Sequence, residues 1–268
     1  MKRILSIGVV VLLLFLSACF SDDGDSLKFE KIDDDTCRVI GYIKDNKNKT
    51  RYKIPKYYEE MLVIEIGQWA FRDNESVENI ILPDSIITIE VVAFQRCKNL
   101  KKINIPKSVT KIKDGAFTDC ESLKKIAIPN SVENLGERIF SGCISLKDVE
   151  LPSDIKVLPS GIFGKCESLV GIYLPESIEK IESSAFLNCT ALKEIVLPSK
   201  LTEIESFAFS YCDSLEKIVL PKSVTILDKE TFHFNAKLKI YCEADEKPVG
   251  WHNSWLRPAT EVIWSYKG

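Results

Sequence analysis

Residues 169–191 read LVGIYLPESIEKIESSAFLNCTA, and the same apolar positions return every 23 residues along the chain. Proline recurs at this spacing at Pro83, Pro106, Pro129, Pro152, Pro175, Pro198 and Pro221. Phenylalanine recurs at Phe71, Phe94, Phe117, Phe140, Phe163, Phe186, Phe209 and Phe232. A fixed period of about 20 to 50 residues is the signature of a solenoid, in which each repeat is one coil that buries its apolar face against its neighbours. The sequence therefore predicts a solenoid with one coil per period.

Each part of the repeat predicts one part of the coil. Residues 169–174 have the Leu-x-x-Ile-x-Leu spacing of a leucine-rich repeat, whose short strand pairs with the same strand of the next coil in a parallel sheet. Pro175 ends the strand, since proline has no backbone N–H group. Ile178 and Ile181 carry apolar side chains around the next bend. The Ala-Phe-x-x-Cys segment is predicted to form a short helical turn that closes the back of the coil.

A serine follows the strand in most repeats, at the position where this pattern usually carries Asn or Cys. These serines are Ser85, Ser108, Ser131, Ser177 and Ser223. A hydroxyl group at this position can bond the backbone of the neighbouring turn. We therefore expect a ladder of serine hydroxyl groups that links successive coils.

The repeat resembles the BspA-like leucine-rich-repeat family of bacterial surface proteins, and the resemblance extends from about Leu27 to Trp264. It implies a right-handed leucine-rich-repeat solenoid with a parallel β-sheet on the concave side. The back of the coils would consist of short helical turns or short strands, and both ends would be capped. The resemblance also implies adhesion to host extracellular-matrix proteins or to other bacteria.

The chain begins with a segment that has the features of a bacterial lipoprotein signal peptide, residues 1–19. Lys2 and Arg3 precede an apolar run at residues 4–16, and the tetrapeptide at residues 16–19 resembles the lipobox, whose cysteine is lipidated. Cys19 is therefore the expected lipid-attachment site, and the alternative is an ordinary signal peptide with an incidental cysteine. We expect an exported protein, anchored to the bacterial cell envelope by this lipid and exposed on the cell surface.

The remaining chain divides into four predicted segments. Residues 20–26, rich in aspartate, form a flexible tether, residues 27–70 the N-terminal cap and first coil, residues 71–237 the leucine-rich repeats and residues 238–268 the C-terminal cap. In the N-terminal cap, a polar turn at residues 45–49 is predicted to join strands at residues 37–43 and 51–54 in a hairpin.

Three of the four tryptophans lie in the C-terminal cap: Trp251, Trp255 and Trp264. The large rings are expected to plug the apolar end of the last coil. An aromatic ligand site is the alternative interpretation.

Six of the nine cysteines share the 23-residue period: Cys97, Cys120, Cys143, Cys166, Cys189 and Cys212. Their side chains should point inward and parallel, and free cysteine behaves as a small buried hydrophobic residue. We therefore predict reduced, buried thiols. Disulfides between neighbouring coils and a stack of metal ions are the alternatives, but structural zinc requires four ligands in a tetrahedral cluster.

The sequence contains no recognisable catalytic or cofactor motif. It has two histidines, and neither a Gly-x-Ser-x-Gly elbow nor a glycine-rich phosphate loop is present. The formal net charge of −3, with acidic and basic residues mixed, does not favour a nucleic-acid partner. The lysines at residues 101–102 and 124–125 are interpreted as a solvated face. We therefore predict a protein that is not an enzyme and needs no metal or cofactor.

The strand residue between Ile or Val and Leu should point onto the open face of the sheet, where packing constrains it least. In successive repeats this residue is Ile81, Asn104, Ala127, Glu150, Tyr173, Val196 and Val219. Tyr173, Val196 and Val219 form an apolar stripe, and Glu194 and Lys217 border it two residues earlier. Such a stripe has the composition of a protein-binding patch, although aromatic and β-branched residues also favour strands in general.

These observations predict a monomeric binding protein whose ligand is a protein or glycoprotein and whose only membrane contact is the lipid anchor. The function predicted first is adhesion to host matrix proteins or other cells. The alternative is a structural or assembly component of the cell envelope that binds an endogenous periplasmic or surface partner.

Overall fold

The computed structural model describes residues 24–43, 49–258 and 260–268. The predicted signal peptide, Cys19 and most of the predicted polar turn at residues 45–49 lie outside the described residues. The described part is a solenoid of about 10 coils with a period of about 23 residues, which confirms the predicted leucine-rich-repeat solenoid. Within it, no helix is long and apolar enough to span a membrane.

Almost all regular structure consists of short strands. In chain order they are β1 (Leu27–Lys31), β2 (Thr36–Tyr42), β3 (Arg51–Lys53), β4 (Tyr57–Tyr58), β5 (Met61–Ile66), β6 (Asn79–Ile81), β7 (Thr88–Ile89), β8 (Lys102–Ile103), β9 (Lys111–Ile112), β10 (Lys125–Ala127), β11 (Asn134–Leu135), β12 (Asp148–Glu150), β13 (Val157–Leu158), β14 (Gly171–Ile172), β15 (Lys180–Ile181), β16 (Glu194–Ile195), β17 (Glu203–Ile204), β18 (Lys217–Leu220), β19 (Ile226–Leu227), β20 (Lys239–Cys242) and β21 (Glu261–Ile263). A 3-10 helix, Gly24–Ser26, precedes β1.

The first strand of each coil contributes to a parallel sheet, which we call the open-face sheet. It consists of four hydrogen-bonded groups along the solenoid: β3-β6-β8, β10-β12, β14-β16 and β18-β20-β21. Equivalent residues of neighbouring coils face each other, as Ile126 faces Val149. The predicted parallel pairing of successive repeats is therefore confirmed, and the sheet is interrupted between the groups.

The bend that follows each proline forms a second parallel sheet. Strands β5, β7, β9 and β11 pair in succession, and so do β13, β15, β17 and β19. Ile181, which the sequence places on a bend, lies in β15 and is paired with Ile204 of the next coil. Ile181 and Ile204, the second residues of their strands, are buried in the core, so the bend holds apolar residues and extends the stack at the same time.

The predicted helical turn at the back of each coil is wrong. Residues four apart in the Ala-Phe-x-x-Cys region adopt left-handed backbone conformations, as Val92 (φ 49°) and Arg96 (φ 57°) do. With these left-handed residues in the turn, every second N–H group points toward the next coil. Phe94 N–H, for example, donates to the carbonyl of Ala116 at 2.8 Å. An α-helix would direct these N–H groups along its own axis. The back is therefore a third ladder of hydrogen bonds between coils, built from turns.

The core is a set of columns in which one residue type stacks along the solenoid. The eight phenylalanines of the repeat are buried, and their rings stack on each other with centroids 5.2 to 5.9 Å apart. Tyr52 meets Phe71 edge-on at the N-terminal end, at 5.3 Å. Trp255 meets Phe232 edge-on at the other end, at 6.1 Å. Each buried ring stabilises the fold by about 1.5–3 kcal/mol, because its apolar surface is removed from water.

The tryptophans of the C-terminal segment close the core, as the sequence predicts. Trp251 and Trp255 are buried and their ring centroids lie 4.9 Å apart. The indole N–H of Trp251 donates to the carbonyl of Val224 at 3.1 Å, so that its polar atom is satisfied inside the apolar cap.

Cysteines form a second buried column beside the phenylalanines. Each of the six thiols of the repeat donates to a phenylalanine carbonyl 26 residues earlier, at sulfur–oxygen distances of 3.1 to 3.3 Å. All eight cysteines that the structure describes are buried and free. Burial raises the pKa of the Cys143 and Cys212 thiols to about 12. The predicted inward, buried placement is confirmed.

The predicted serine ladder is also present. The hydroxyl groups of the five serines donate to carbonyls 22 residues earlier, at 2.6 to 2.8 Å. Ser131, for example, donates to the carbonyl of Val109. These bonds tie the end of one strand to the bend of the preceding coil.

The N-terminal cap differs from the predicted hairpin. Strand β2 pairs antiparallel with β1, whereas β3 joins the open-face sheet by pairing with β6. The carboxylate of Asp33 accepts hydrogen bonds from the N–H groups of Asp35 and Thr36, and this turn reverses the chain. The predicted tether is folded at its end, because Ser26 is buried and its carbonyl accepts from Ile43 N–H.

Candidate functional site

The open-face row is formed by the strand residues that point out of the open-face sheet, and it is longer than the sequence predicts. Val219 is in register with Tyr241, and Tyr241 is in register with Ile263. Sequence reasoning missed these last two because the spacing shortens from 23 to 22 residues at Tyr241. The pattern Leu238-x-Ile240-x-Cys, a leucine-rich strand with one residue removed, is the signal that could have found them.

Two predicted site residues stand together at the centre of the open-face row. Tyr173 is 76% exposed and Val196 is 79% exposed, and they follow paired residues of β14 and β16. Both side chains line a groove of about 360 Å³, with Glu176 and Glu194 also in its wall. We call this surface the Tyr173 patch.

The other predicted residues occupy a neighbouring position. Val219 is half-buried and continues the row toward the C-terminal cap. The Lys217 ammonium group lies 4.7 Å from the Tyr241 ring and 4.9 Å from the Tyr266 ring, and it donates to the Tyr266 hydroxyl group at 3.0 Å. The hydrogen bond to Tyr266 raises the pKa of Lys217. Lys217 therefore holds the C-terminal segment on the sheet instead of forming a free charged border.

The Tyr173 patch rests on two paired strands over the core. Ile195, beneath its exposed neighbours, is buried in the core, and Gly171 pairs with Glu194 in the sheet. A side chain on such a base loses less freedom on binding than one on a mobile loop. The patch can therefore make apolar contact at a small entropic cost.

A second concave area lies on the same face, nearer the N-terminus. It is a cavity of about 880 Å³ whose apolar floor is formed by the half-buried Ile81 and Ile103, and the buried Ile80 also lines it. We call it the lysine-rimmed hollow, because four lysines line it: Lys101, Lys102, Lys124 and Lys125. The sequence interpretation of these lysines as a uniform solvated face did not show that they surround a cavity.

In the described part of the chain, the histidines and acidic residues do not form a metal-binding centre. His252 accepts hydrogen bonds at Nδ1 from the backbone N–H of Ser254 at 3.1 Å and has the Ser254 hydroxyl group 2.9 Å away, as part of an exposed local turn. His233 Nδ1 lies 3.9 Å from the Glu230 carboxylate. Among the described residues, no group of three or more His, Cys, Asp or Glu side chains could hold a metal ion.

Comparison with known proteins agrees with this architecture. The sequence matches the BspA type leucine rich repeat region in six copies, over residues 46–170 and 156–242. No curated protein matches it.

Three solved structures illustrate the similarity. A leucine-rich repeat protein from Bacteroides ovatus is 28% identical, with a TM-score of 0.68 over 90% of this chain and 70% of that one. One from Eubacterium ventriosum is 26% identical, with a TM-score of 0.57 over 70% of this chain and 59% of that one. A T. pallidum leucine rich repeat protein is 22% identical, with a TM-score of 0.52 over 85% of this chain and 89% of that one. This similarity shows the fold alone.

Proposed function

Because this chain belongs to the BspA-type leucine-rich repeat family, we propose that it acts by binding a protein or glycoprotein through its open face. Family and fold are those of repeat proteins that are generally non-enzymatic scaffolds. The observation that carries the proposal is the Tyr173 patch, in which two large apolar side chains are more than three-quarters exposed side by side.

The chemistry of the Tyr173 patch fits a protein partner. Tyrosine supplies a large contact area with few rotatable bonds, and its hydroxyl group can bond a partner. Val196 adds an apolar neighbour, and Glu194 supplies a polar border at the edge of the groove. Interfaces commonly combine an aromatic anchor with such a polar rim.

The proposed setting is the surface of a bacterial cell, with adhesion to host matrix proteins or other cells as the role. This part rests on the family and on the sequence of residues 1–19, in which Cys19 would carry the lipid. Incorporation of a labelled fatty acid into the protein, lost in Cys19→Ala, tests the anchor. Protease added to intact cells should remove a surface adhesin, whereas an envelope component that faces inward would be spared.

Solid-phase binding of the purified protein to matrix glycoproteins and whole bacterial cells tests the proposed activity. Saturable binding is expected, with a loss in Tyr173→Ala and in Val196→Lys. Tyr57→Ala is the matched control, because Tyr57 is 58% exposed and lies in β4, outside the open-face row. Binding that all three variants retain equally would place the ligand on another surface.

A further inference from the structure

The lysine-rimmed hollow lies beside an interruption of the open-face sheet. β8 pairs with β6 and β10 pairs with β12, and no strand pairing joins β8 to β10. Ile103 is half-buried at this interruption, whereas Ile80 and Ile126, its equivalents in the coils before and after, are buried. The cavity therefore coincides with a break in the backbone pairing of the sheet.

Two residues of the open-face row leave this floor uncovered. The side-chain amide of Asn104 is directed to the preceding coil, where it accepts from Leu82 N–H at 2.8 Å and donates to the Leu82 carbonyl at 2.9 Å. Ala127, the next residue of the row, offers only a methyl group. The larger Tyr173 and Val196 occupy the equivalent positions farther along, where the groove is smaller, about 360 Å³.

The charge of the hollow is positive and only partly compensated. Lys101 pairs with Glu78 at 2.8 Å, and Lys125 pairs with Glu150 at 3.2 Å. Lys102 and Lys124 are exposed, and within the described ranges neither forms an ion pair. None of the described residues that line the cavity is acidic. A concave surface lined by one sign of charge concentrates its field and attracts the opposite charge.

We propose that the lysine-rimmed hollow binds a short acidic segment of a partner protein, with one apolar side chain seated on Ile103. Covering the isoleucine floor removes apolar surface from water, which favours an apolar group. Carboxylates on either side of that group would meet Lys102 and Lys124. The volume of about 880 Å³ accommodates a few residues of a peptide and exceeds the space that one side chain needs.

The surroundings favour this occupant over a long polyanion. A sulfated polysaccharide would match the lysines but would leave the isoleucine floor without an apolar partner. Asp148 is exposed on β12, the strand beyond β10, and it would repel an anionic chain that continued along the face. The acidic segment is therefore short, and apolar contact contributes to its recognition. This site is distinct from the Tyr173 patch; it specifies the partner chemistry of a second area of the open face and so rests on the proposed function of that face.

Selection of a phage-displayed random peptide library on the full chain tests the proposal. We expect the enriched peptides to combine Asp or Glu with Leu, Ile or Phe. Their binding should weaken about tenfold or more in the double variant Lys102→Glu/Lys124→Glu. Ser122→Phe should also weaken it, because the added ring occupies the wall of the hollow while the charges stay unchanged.

Matched controls separate recognition from bulk charge. Lys107→Glu/Lys111→Glu makes the same charge change at two exposed lysines outside the hollow, in the coil that contains Lys102. This variant should retain peptide binding. Tyr173→Ala should also retain it, so that failure of this site and failure of the Tyr173 patch are distinguishable. The melting temperatures of the variants establish that they are folded.

Three results would overturn the proposal. The first is a selection that yields no peptide dependent on Lys102 and Lys124. The second is a set of enriched peptides without acidic residues. The third is heparin binding that depends on these lysines while no selected peptide does, which would identify the ligand as a polyanion.

Discussion

The buried columns and the open-face row are built on the same repeat, yet they differ in what repeats. The phenylalanine column keeps one residue type through eight successive coils, because each ring must stack on the next. The open-face row changes chemistry along the same coils, from Asn104 to Glu150 to Tyr173. The interior therefore specifies the fold, and the variable outer row is where this protein can specify a partner.

The largest contrast should appear when a ring is removed from each environment. Phe140 lies 5.7 Å from the Phe117 ring and 5.9 Å from the Phe163 ring, and it is fully buried. Phe140→Ala should lower the free energy of unfolding by about 3–5 kcal/mol through the lost contacts and the cavity. Chemical denaturation measures this loss.

Phe234→Ala is the control for that experiment. Phe234 is 41% exposed and stacks on Tyr211, so its removal should cost about 1 kcal/mol or less. If the two variants lose the same free energy of unfolding, Phe140 does not contribute more to core packing than Phe234 does.

The cysteine column predicts a loss of stability at alkaline pH. The pKa of Cys143 is raised from 9.0 to about 12 by burial, so the unfolded chain ionises first as the pH rises. The stabilising effect of the neutral buried thiol is complete below pH 9.0 and is lost between pH 9.0 and about 12. Each such thiol should lower the free energy of unfolding by about 1.4 kcal/mol per pH unit in this window.

Denaturation of the reduced protein at several alkaline pH values measures the slope, and Cys143→Ala should reduce it. An identical slope in the variant would show that Cys143 does not ionise on unfolding. Alkylation provides a second check, since the six column thiols should react only after denaturation. A mass that shows paired oxidation of these cysteines would contradict the buried free thiols.

A smaller effect is expected from the serine ladder. Ser131→Ala removes the hydrogen bond to the carbonyl of Val109, and the free energy of unfolding should fall by about 1 kcal/mol. Ser153→Ala, at an exposed position whose hydroxyl group is not part of the ladder, should have almost no effect. If the two substitutions are equivalent in chemical denaturation, the ladder does not contribute to stability.

The smallest effect on stability is expected on the open face. Tyr173→Ala should change the free energy of unfolding by less than about 1 kcal/mol, because the side chain is 76% exposed. A loss as large as that of Phe140→Ala in the same denaturation assay would assign Tyr173 to folding and remove the basis of the proposed site.

The same contrast explains what could be predicted from sequence. A residue type that repeats at a fixed spacing occupies the same environment in every coil, so the phenylalanine, cysteine and serine ladders were predictable from the repeat. The turns on the back could not be predicted from Val92 and Phe207, since neither residue type favours the left-handed conformation that each adopts there. The N-terminal hairpin was missed because its reversal depends on the side chain of Asp33.

The candidate surface was only partly predictable for a related reason. Alternation along the strand places Tyr173 and Val196 outward, and the spacing brings them to adjacent coils. The extension to Tyr241 required recognition of a one-residue shortening. The lysine-rimmed hollow lies where the Asn104 amide is directed to the preceding coil and where sheet pairing is interrupted, and periodicity encodes neither feature.

Site-specific photo-cross-linking in the producing bacterium, in contact with its natural surroundings, tests the central claim most directly. A photoreactive amino acid would replace Tyr173 in one variant and Tyr57 in another. If the open-face row is the binding surface, position 173 should give a discrete cross-linked protein that position 57 does not give. Cross-links that are absent at 173, or that are the same at both positions, would contradict a partner-binding role for this face.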